Sequence, residues 1–269
     1  MSNRSLEAKS NIFPGLETTF NTVAEQYDRM RPTYVEELYD DIWRYGGFDG
    51  DISAVEVGIG TGQATQPVLN RGASVTAVEL GSDLAAFCAR KFAENPKFFV
   101  INMPFQDFTV PENSCDLIYS ASAFHWIPEE IGYRKVFDML RPGGVFARFA
   151  NHPYKDKGNE ALHEAMQVHY AKYMPRSKFH AEYDMEDAKA RAEVGARYGF
   201  TDIQCKLYKR TRTFTAQQYT NLLGTYSDHI ALGEKKDEFF ALIREEIERF
   251  GGTITIYDTI DLELHRKPV

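Results

Sequence analysis

Apolar and polar positions change their pattern three times along the chain. Residues 1–19 show no period and read as a weakly ordered lead-in. Val35, Leu38, Ile42 and Tyr45 then recur at helical spacing. Pro32 suits a first turn and Gly46-Gly47 stops the run, so an amphipathic N-terminal helix is predicted. From Ile52 onward short apolar runs alternate with amphipathic stretches. Strands are predicted over Ile52–Val57, Ser74–Glu79, Lys97–Asn102, Asp116–Ser120 and Val145–Ala150. Helices are predicted over Gln63–Asn70, Asp83–Asn95 (with Ser82 as N-cap) and Glu129–Leu140. Short apolar strands joined by helices predict an α/β fold with a doubly wound, mainly parallel sheet.

After Asn151 the alternation stops. Residues 159–200 are rich in aromatic, His and charged side chains and read as helical, and two further helices are expected at Ala216–Thr225 and Lys235–Phe250. Ile203, Cys205 and Leu207 have strand spacing. So do Ile254, Ile256, Ile260, Leu262 and Leu264, with Asp258 breaking that run. These late strands are expected to join the first five in a seven-stranded sheet, with the intervening helices covering one end of it.

Composition narrows the function classes. Over 269 residues, 31 Lys and Arg against 39 Asp and Glu give a net charge of −8, which disfavours broad binding to a nucleic-acid backbone. The basic cluster Lys206, Lys209, Arg210 and Arg212 is expected to be a solvated sheet edge. No apolar run approaches the roughly 20 residues of a membrane helix, and the start lacks a signal-peptide core, so the expectation is a cytoplasmic protein. Cys88, Cys115 and Cys205 are too few and too far apart for a disulfide framework or a zinc knuckle, and no metal site is expected.

The stretch Glu56-Val57-Gly58-Ile59-Gly60-Thr61-Gly62-Gln63 follows a predicted strand and opens a helix. Glycines there let the backbone approach a ligand, and the free N–H groups suit a polar or anionic group. A dinucleotide fingerprint would need its third glycine at position 63, where Gln63 stands. The next strand ends at Glu79, 17 positions beyond Gly62. A carboxylate at that place can accept hydrogen bonds from both hydroxyls of a ribose.

These residues, with Cys115-Asp116-Leu117-Ile118-Tyr119-Ser120-Ala121 and Leu140-Arg141-Pro142-Gly143-Gly144, resemble the class I S-adenosylmethionine-dependent methyltransferases. The segments 24–34 and Ser122-Ala123-Phe124-His125-Trp126 resemble the small-molecule branch that includes trans-aconitate-type and ubiquinone-biosynthesis-type enzymes. The resemblance implies a Rossmann-like methyltransferase fold in a single domain, 1–269. Its parts are an N-terminal helical cap (1–47), a cofactor-binding core (48–150), covering helices (151–200 and 214–250) and C-terminal strands (201–213 and 251–269). It implies S-adenosylmethionine as cofactor, with Glu56, Gly58, Gly60 and Gly62 around the methionine and ribose parts and Glu79 on the ribose hydroxyls. Leu80, Phe105 and Gln106 are expected near the adenine, with Asp107 an alternative reader to Gln106. Ser120 and Ala121 would face the sulfonium side. Tyr27 and Arg31 would close over the cofactor, Arg31 toward its carboxylate, unless they are a packing aromatic and a surface charge.

Methyl transfer from a sulfonium is an in-line displacement that asks mainly for alignment and exclusion of water. His125 is the candidate base where the acceptor must lose a proton, the alternative being a packing or cofactor-side residue. His152, Tyr154, His163, His169, Tyr170, Tyr173, His180 and Tyr226 could line an acceptor pocket or simply pack the cover. The expected partner is a small-molecule acceptor, with no nucleic acid and no membrane, in a monomer or homodimer. A cofactor-binding regulator without turnover and a Rossmann-type oxidoreductase remain open alternatives.

Overall fold

A computed structural model of the protein describes residues 24–176 and 181–269, without the side chains of Ala24, Gln26 and Tyr27. The expectations for the lead-in 1–19, for the Tyr27 side chain and for His180 fall outside the described residues. The strands are β1 (Ser53–Val57), β2 (Ser74–Glu79), β3 (Phe98–Asn102), β4 (Cys115–Ala121), β5 (Leu140–Tyr154), β6 (Thr201–Thr215) and β7 (Thr253–Arg266). They form one sheet in the order β3-β2-β1-β4-β5-β7-β6. β1 to β5 pair in parallel, and β7 enters antiparallel between β5 and β6. The helices are α1 (Ala24–Met30), α2 (Glu36–Gly46), α3 (Thr65–Asn70), α4 (Ser82–Lys91), α5 (Glu129–Met139), α6 (Glu160–Tyr173), α7 (Met185–Ala192), α8 (Ala216–Leu223), α9 (Ser227–Ile230) and α10 (Lys236–Arg249).

Core packing follows the strand periodicity. Val145, Ala147, Phe149, Ile260, Leu262 and Leu264 point to one face, beneath α2 to α4. Val55, Val57, Ile118 and Phe146 point to the other, against Tyr133, Val136 and Met139 of α5. A third cluster joins Leu162 and Met166 of α6, Leu223 of α8 and Phe239 and Ile243 of α10 over Ile254 and Ile256 of β7.

Four expectations need correction. α3 starts at Thr65 rather than Gln63, because Pro67 lacks an N–H and belongs in a first turn. The glycine stretch is therefore a longer loop. Gly81, not Ser82, caps α4, without a side-chain bond. β7 runs unbroken through Asp258, which is 1% exposed. Arg210, Arg212 and Asn151 reach its carboxylate, so a polar residue sits in a buried strand at full hydrogen-bonding satisfaction. The basic cluster on the edge strand β6 is divided: Arg210 and Arg212 are drawn in to Asp258, while Lys206 and Lys209 stay solvated as expected and are ion-paired as well. Lys206 meets Asp41 at 2.7 Å and Lys209 meets Glu182 at 3.0 Å.

Candidate active site

The loop after β1 turns back through Gly58, Gly60 and Gly62, at φ 72°, 60° and 83°. Only glycine takes these values without strain. A Cβ on Gly58 would lie 2.5 Å from the Cβ of Ala123, and one on Gly62 would lie 2.5 Å from the Phe92 ring. The loop is tied down from several sides. Gly58 N–H donates to the Val78 carbonyl at 2.9 Å, and Lys91 of α4 donates to the Thr61 carbonyl at 2.9 Å. Gln63 Nε2 and Lys91 Nζ both reach Asp28 of α1.

Glu79 closes the loop onto β2. Its Oε2 accepts the Gly60 N–H at 2.9 Å and its Oε1 accepts the Gly81 N–H at 2.8 Å. Burial raises its pKa, against those backbone donors. Each oxygen retains a lone pair for a further donor. Beside it Leu80 is 42% exposed, an unusual place for a leucine. Asn102 donates to the carbonyls of Glu79 and Leu80, a contact that no sequence motif announced.

Glu56 lies below the loop, 1% exposed. Its Oε2 accepts from Thr65 at 2.7 Å and from Tyr119 at 2.8 Å, while Oε1 is buried with no hydrogen-bond partner among the described residues. Burial pushes this carboxyl up to about 7 despite those two donors.

At the end of β4, Ser120 is buried and donates to the Val57 carbonyl at 2.8 Å, with Ala121 half-buried beyond it. Ser122 follows at φ 55°, a left-handed value uncommon for serine, and its hydroxyl bonds that of Tyr34 at 2.9 Å. Gln106 and Asp107 are exposed after β3. The Phe105 ring instead packs in the core against Phe108. The Arg31 guanidinium lies 4.2 Å from the Tyr226 ring centre and donates to the Thr225 carbonyl at 2.7 Å.

His125 sits in a single turn, Phe124–Trp126, beside the Trp126 ring. His125 is itself exposed, yet the protein crowded around its ring, together with the positive charge of Arg148 and Arg191 and the nearby His152, lowers its pKa to about 4. Next to it lies a polar cluster that the sequence reading missed. Asp261 accepts from His152 at 3.0 Å and Tyr183 at 3.1 Å and meets Arg191 at 3.2 Å. Glu263 meets Arg191 at 2.8 Å and Arg148 at 3.7 Å. Burial works against both carboxylates; the His152 bond and Arg191 hold Asp261 low, while Glu263 is pushed up. The available signal was Asp261, Glu263 and His265 alternating with the apolar positions of β7.

Comparison with known proteins fixes the family. Residues 55–148 match the family model described as a methyltransferase domain. An uncharacterized methyltransferase of Geobacillus kaustophilus is 30% identical over 160 residues, covering 55% of this chain and 71% of that protein. A Saccharomyces cerevisiae protein named as a probable S-adenosylmethionine-dependent methyltransferase is 26% identical over 201 residues, covering 70% of this chain and 67% of its own. Among solved structures, phosphoethanolamine N-methyltransferase 2 of Haemonchus contortus superposes with a TM-score of 0.55 at 14% identity. That match covers 93% of this chain but 57% of the other and speaks for the fold alone. The matched segment begins in β1 and carries the glycine loop and Glu79 on into β5, and on this ground the chain belongs to the class I S-adenosylmethionine-dependent methyltransferases.

Proposed function

We propose that the chain transfers the methyl group of S-adenosylmethionine to a small organic acceptor held under the helical cover. The observation that carries this reading is the helical layer over the start of β7: α6, α8 and α10 share an apolar core there, and α8 packs on α1, whose Asp28 holds Gln63 and Lys91 at the glycine loop. The acidic net charge and the ion-paired basic cluster of β6 leave little for a phosphate backbone to bind.

The residues fit the cofactor. The free lone pairs of Glu79 suit two ribose hydroxyls, exposed Leu80 suits an adenine face, and the buried, unpartnered Glu56 Oε1 suits an ammonium donor. Gly58, Gly60 and Gly62 would lie against the methionine and ribose, with Ser120 and Ala121 on the sulfonium side and Gln106 at the adenine edge. Phe105 would support Gln106 from the core. Arg31 and Tyr27 would act from the α1 side. Bound there, the cofactor supplies an electrophilic methyl. The protein's part is to align an acceptor with it and to keep water out. His125, neutral near pH 7, would serve the acceptor as a hydrogen-bonding ring rather than a strong base.

A labelled-methyl screen against a metabolite extract tests this. Transfer of label into a small organic fraction is expected; transfer confined to nucleic acid would overturn it.

A further inference from the structure

Three non-glycine residues take a positive φ among the described residues: Asn113, Asp202 and Ser122. Asparagine and aspartate enter that region readily, because their short polar side chains bond the local backbone; serine does so much less. Such a conformation persists only where the surroundings impose it, and it gathers at ligand sites.

The surroundings of Ser122 lie beside the cofactor loop. Ser122 follows Ala121, the last residue of β4, and its N–H donates to the Phe149 carbonyl of β5 at 2.8 Å. On its other side Ala123 fills the space over Gly58, where an added Cβ would come within 2.5 Å of the Ala123 Cβ. Ser122 therefore stands between a residue against the glycine loop and one assigned above to the sulfonium side. It is itself exposed, as is His125 three positions on.

Tyr34 reaches the same turn from the segment between α1 and α2. Its hydroxyl lies 2.9 Å from that of Ser122, and its ring stands edge-on to Phe149 with centres 4.8 Å apart. The carbonyl of the preceding Thr33 accepts from Arg210 of β6 at 2.7 Å, and Arg210 pairs with buried Asp258 at 3.3 Å. A segment fixed to the sheet thus delivers the Tyr34 hydroxyl to the strained turn. Ser122 keeps hydrogen-bonding capacity in either direction of that bond. If it donates to Tyr34, its oxygen can still accept; if it accepts, its O–H can still donate.

We propose that Ser122 hydrogen-bonds an oxygen or nitrogen atom of the acceptor and so aims its nucleophilic atom at the methyl group, and that Tyr34 is the positioning residue that fixes the Ser122 hydroxyl. The proposal rests on the small-acceptor reading above. An in-line displacement is sensitive to misplacement of a fraction of the reacting distance, so a hydroxyl held at the end of β4 contributes through alignment.

Ser122→Gly tests this, because glycine takes the same φ without strain and only the hydroxymethyl group is lost. Its melting temperature should equal or exceed that of wild type, and its S-adenosylhomocysteine affinity by calorimetry should be unchanged. Labelled-methyl transfer into a metabolite extract should fall by about tenfold or more. Tyr34→Phe keeps the ring on Phe149 and should lower transfer by about threefold or more, again with unchanged S-adenosylhomocysteine affinity. The double variant should transfer no less than Ser122→Gly alone, since Tyr34 acts through Ser122; a merely structural Tyr34 would add its own loss. Wild-type transfer in Ser122→Gly overturns the proposal, and so does a fall in S-adenosylhomocysteine affinity that matches the fall in transfer. Additive losses in the double variant overturn the part given to Tyr34. Absence of transfer by the wild-type protein would instead overturn the small-acceptor reading, and this proposal with it.

Discussion

Glu79 and Gly60 are bound to one another, carboxylate to backbone N–H at 2.9 Å, so the residue that ends β2 holds the loop that follows β1. Since its other oxygen holds Gly81, Glu79→Ala frees two backbone donors as well as removing the proposed ribose acceptor. S-adenosylhomocysteine binding should weaken by about 1–3 kcal/mol in calorimetry. Glu79→Gln should recover little, because its amide NH₂ would face one of those two N–H groups. Wild-type affinity in either variant would remove Glu79 from the site.

Glu56 predicts a slope of stability against pH. Its folded pKa, about 7, lies above its ordinary value, so the folded protein holds this proton longer than the unfolded chain does. The contribution is present at low pH and is lost as pH rises through 7. Urea unfolding at about pH 5 and about pH 8 should therefore show wild type losing stability relative to Glu56→Gln, on the order of 3 kcal/mol. Glu263, also pushed up, adds the same trend to both proteins and cancels in the comparison. Parallel pH dependences would contradict the assignment.

Gly58→Ala combines two penalties that can be separated. One is the φ of 72°, and the other is the contact with the Ala123 Cβ. The single variant should lose about 1–3 kcal/mol of stability. Adding Ala123→Gly should restore the contact part and leave the backbone part. If the pair is no more stable than Gly58→Ala alone, the contact is not what forbids a side chain here.

Arg212→Ala leaves buried Asp258 with Arg210 and Asn151 among the described residues. A loss on the order of 3 kcal/mol in urea unfolding is expected. Asp258→Asn placed in the Arg212→Ala background should recover part of it, since the amide carries no charge to compensate. A loss indistinguishable from that of an exposed arginine would show that the pair adds nothing.

The first half of the fold was legible because β1 to β4 are short and apolar and most are set apart by helices of regular period, while of the 15-residue β5 only the central part, 145–150, could be read. Gly58, Gly60, Gly62 and Glu79 were legible because their chemistry is local: a turn that needs positive φ, and a carboxylate at a strand end. The second half obscured itself through long-range compensation. Asp258, Asp261 and Glu263 look like solvent positions in an alternating strand, yet β7 is covered on both faces and their partners Arg148, Arg191, Arg210 and Arg212 lie between about 45 and 115 residues away in sequence. Phe105 shows the opposite error. Its position after β3 suggested a ligand contact, but its ring is part of the core. The hydrogen bond between His229 and Tyr170 carried no motif, since it depends on how α6 packs over α9.

The place of β7 also constrains the order of assembly. It lies between β5 and β6, both of which precede it in the chain, so β6 has no strand to pair with until residues 253–266 arrive. Such non-local pairing is slow, and an unfinished edge invites mispairing with other chains. Here the waiting edges of β5 and β6 carry Arg148, Arg210 and Arg212, charges that repel a second copy of the same edge. Their carboxylate partners all reside on β7, so the same arginines that discourage wrong pairing are neutralised only when the right strand inserts.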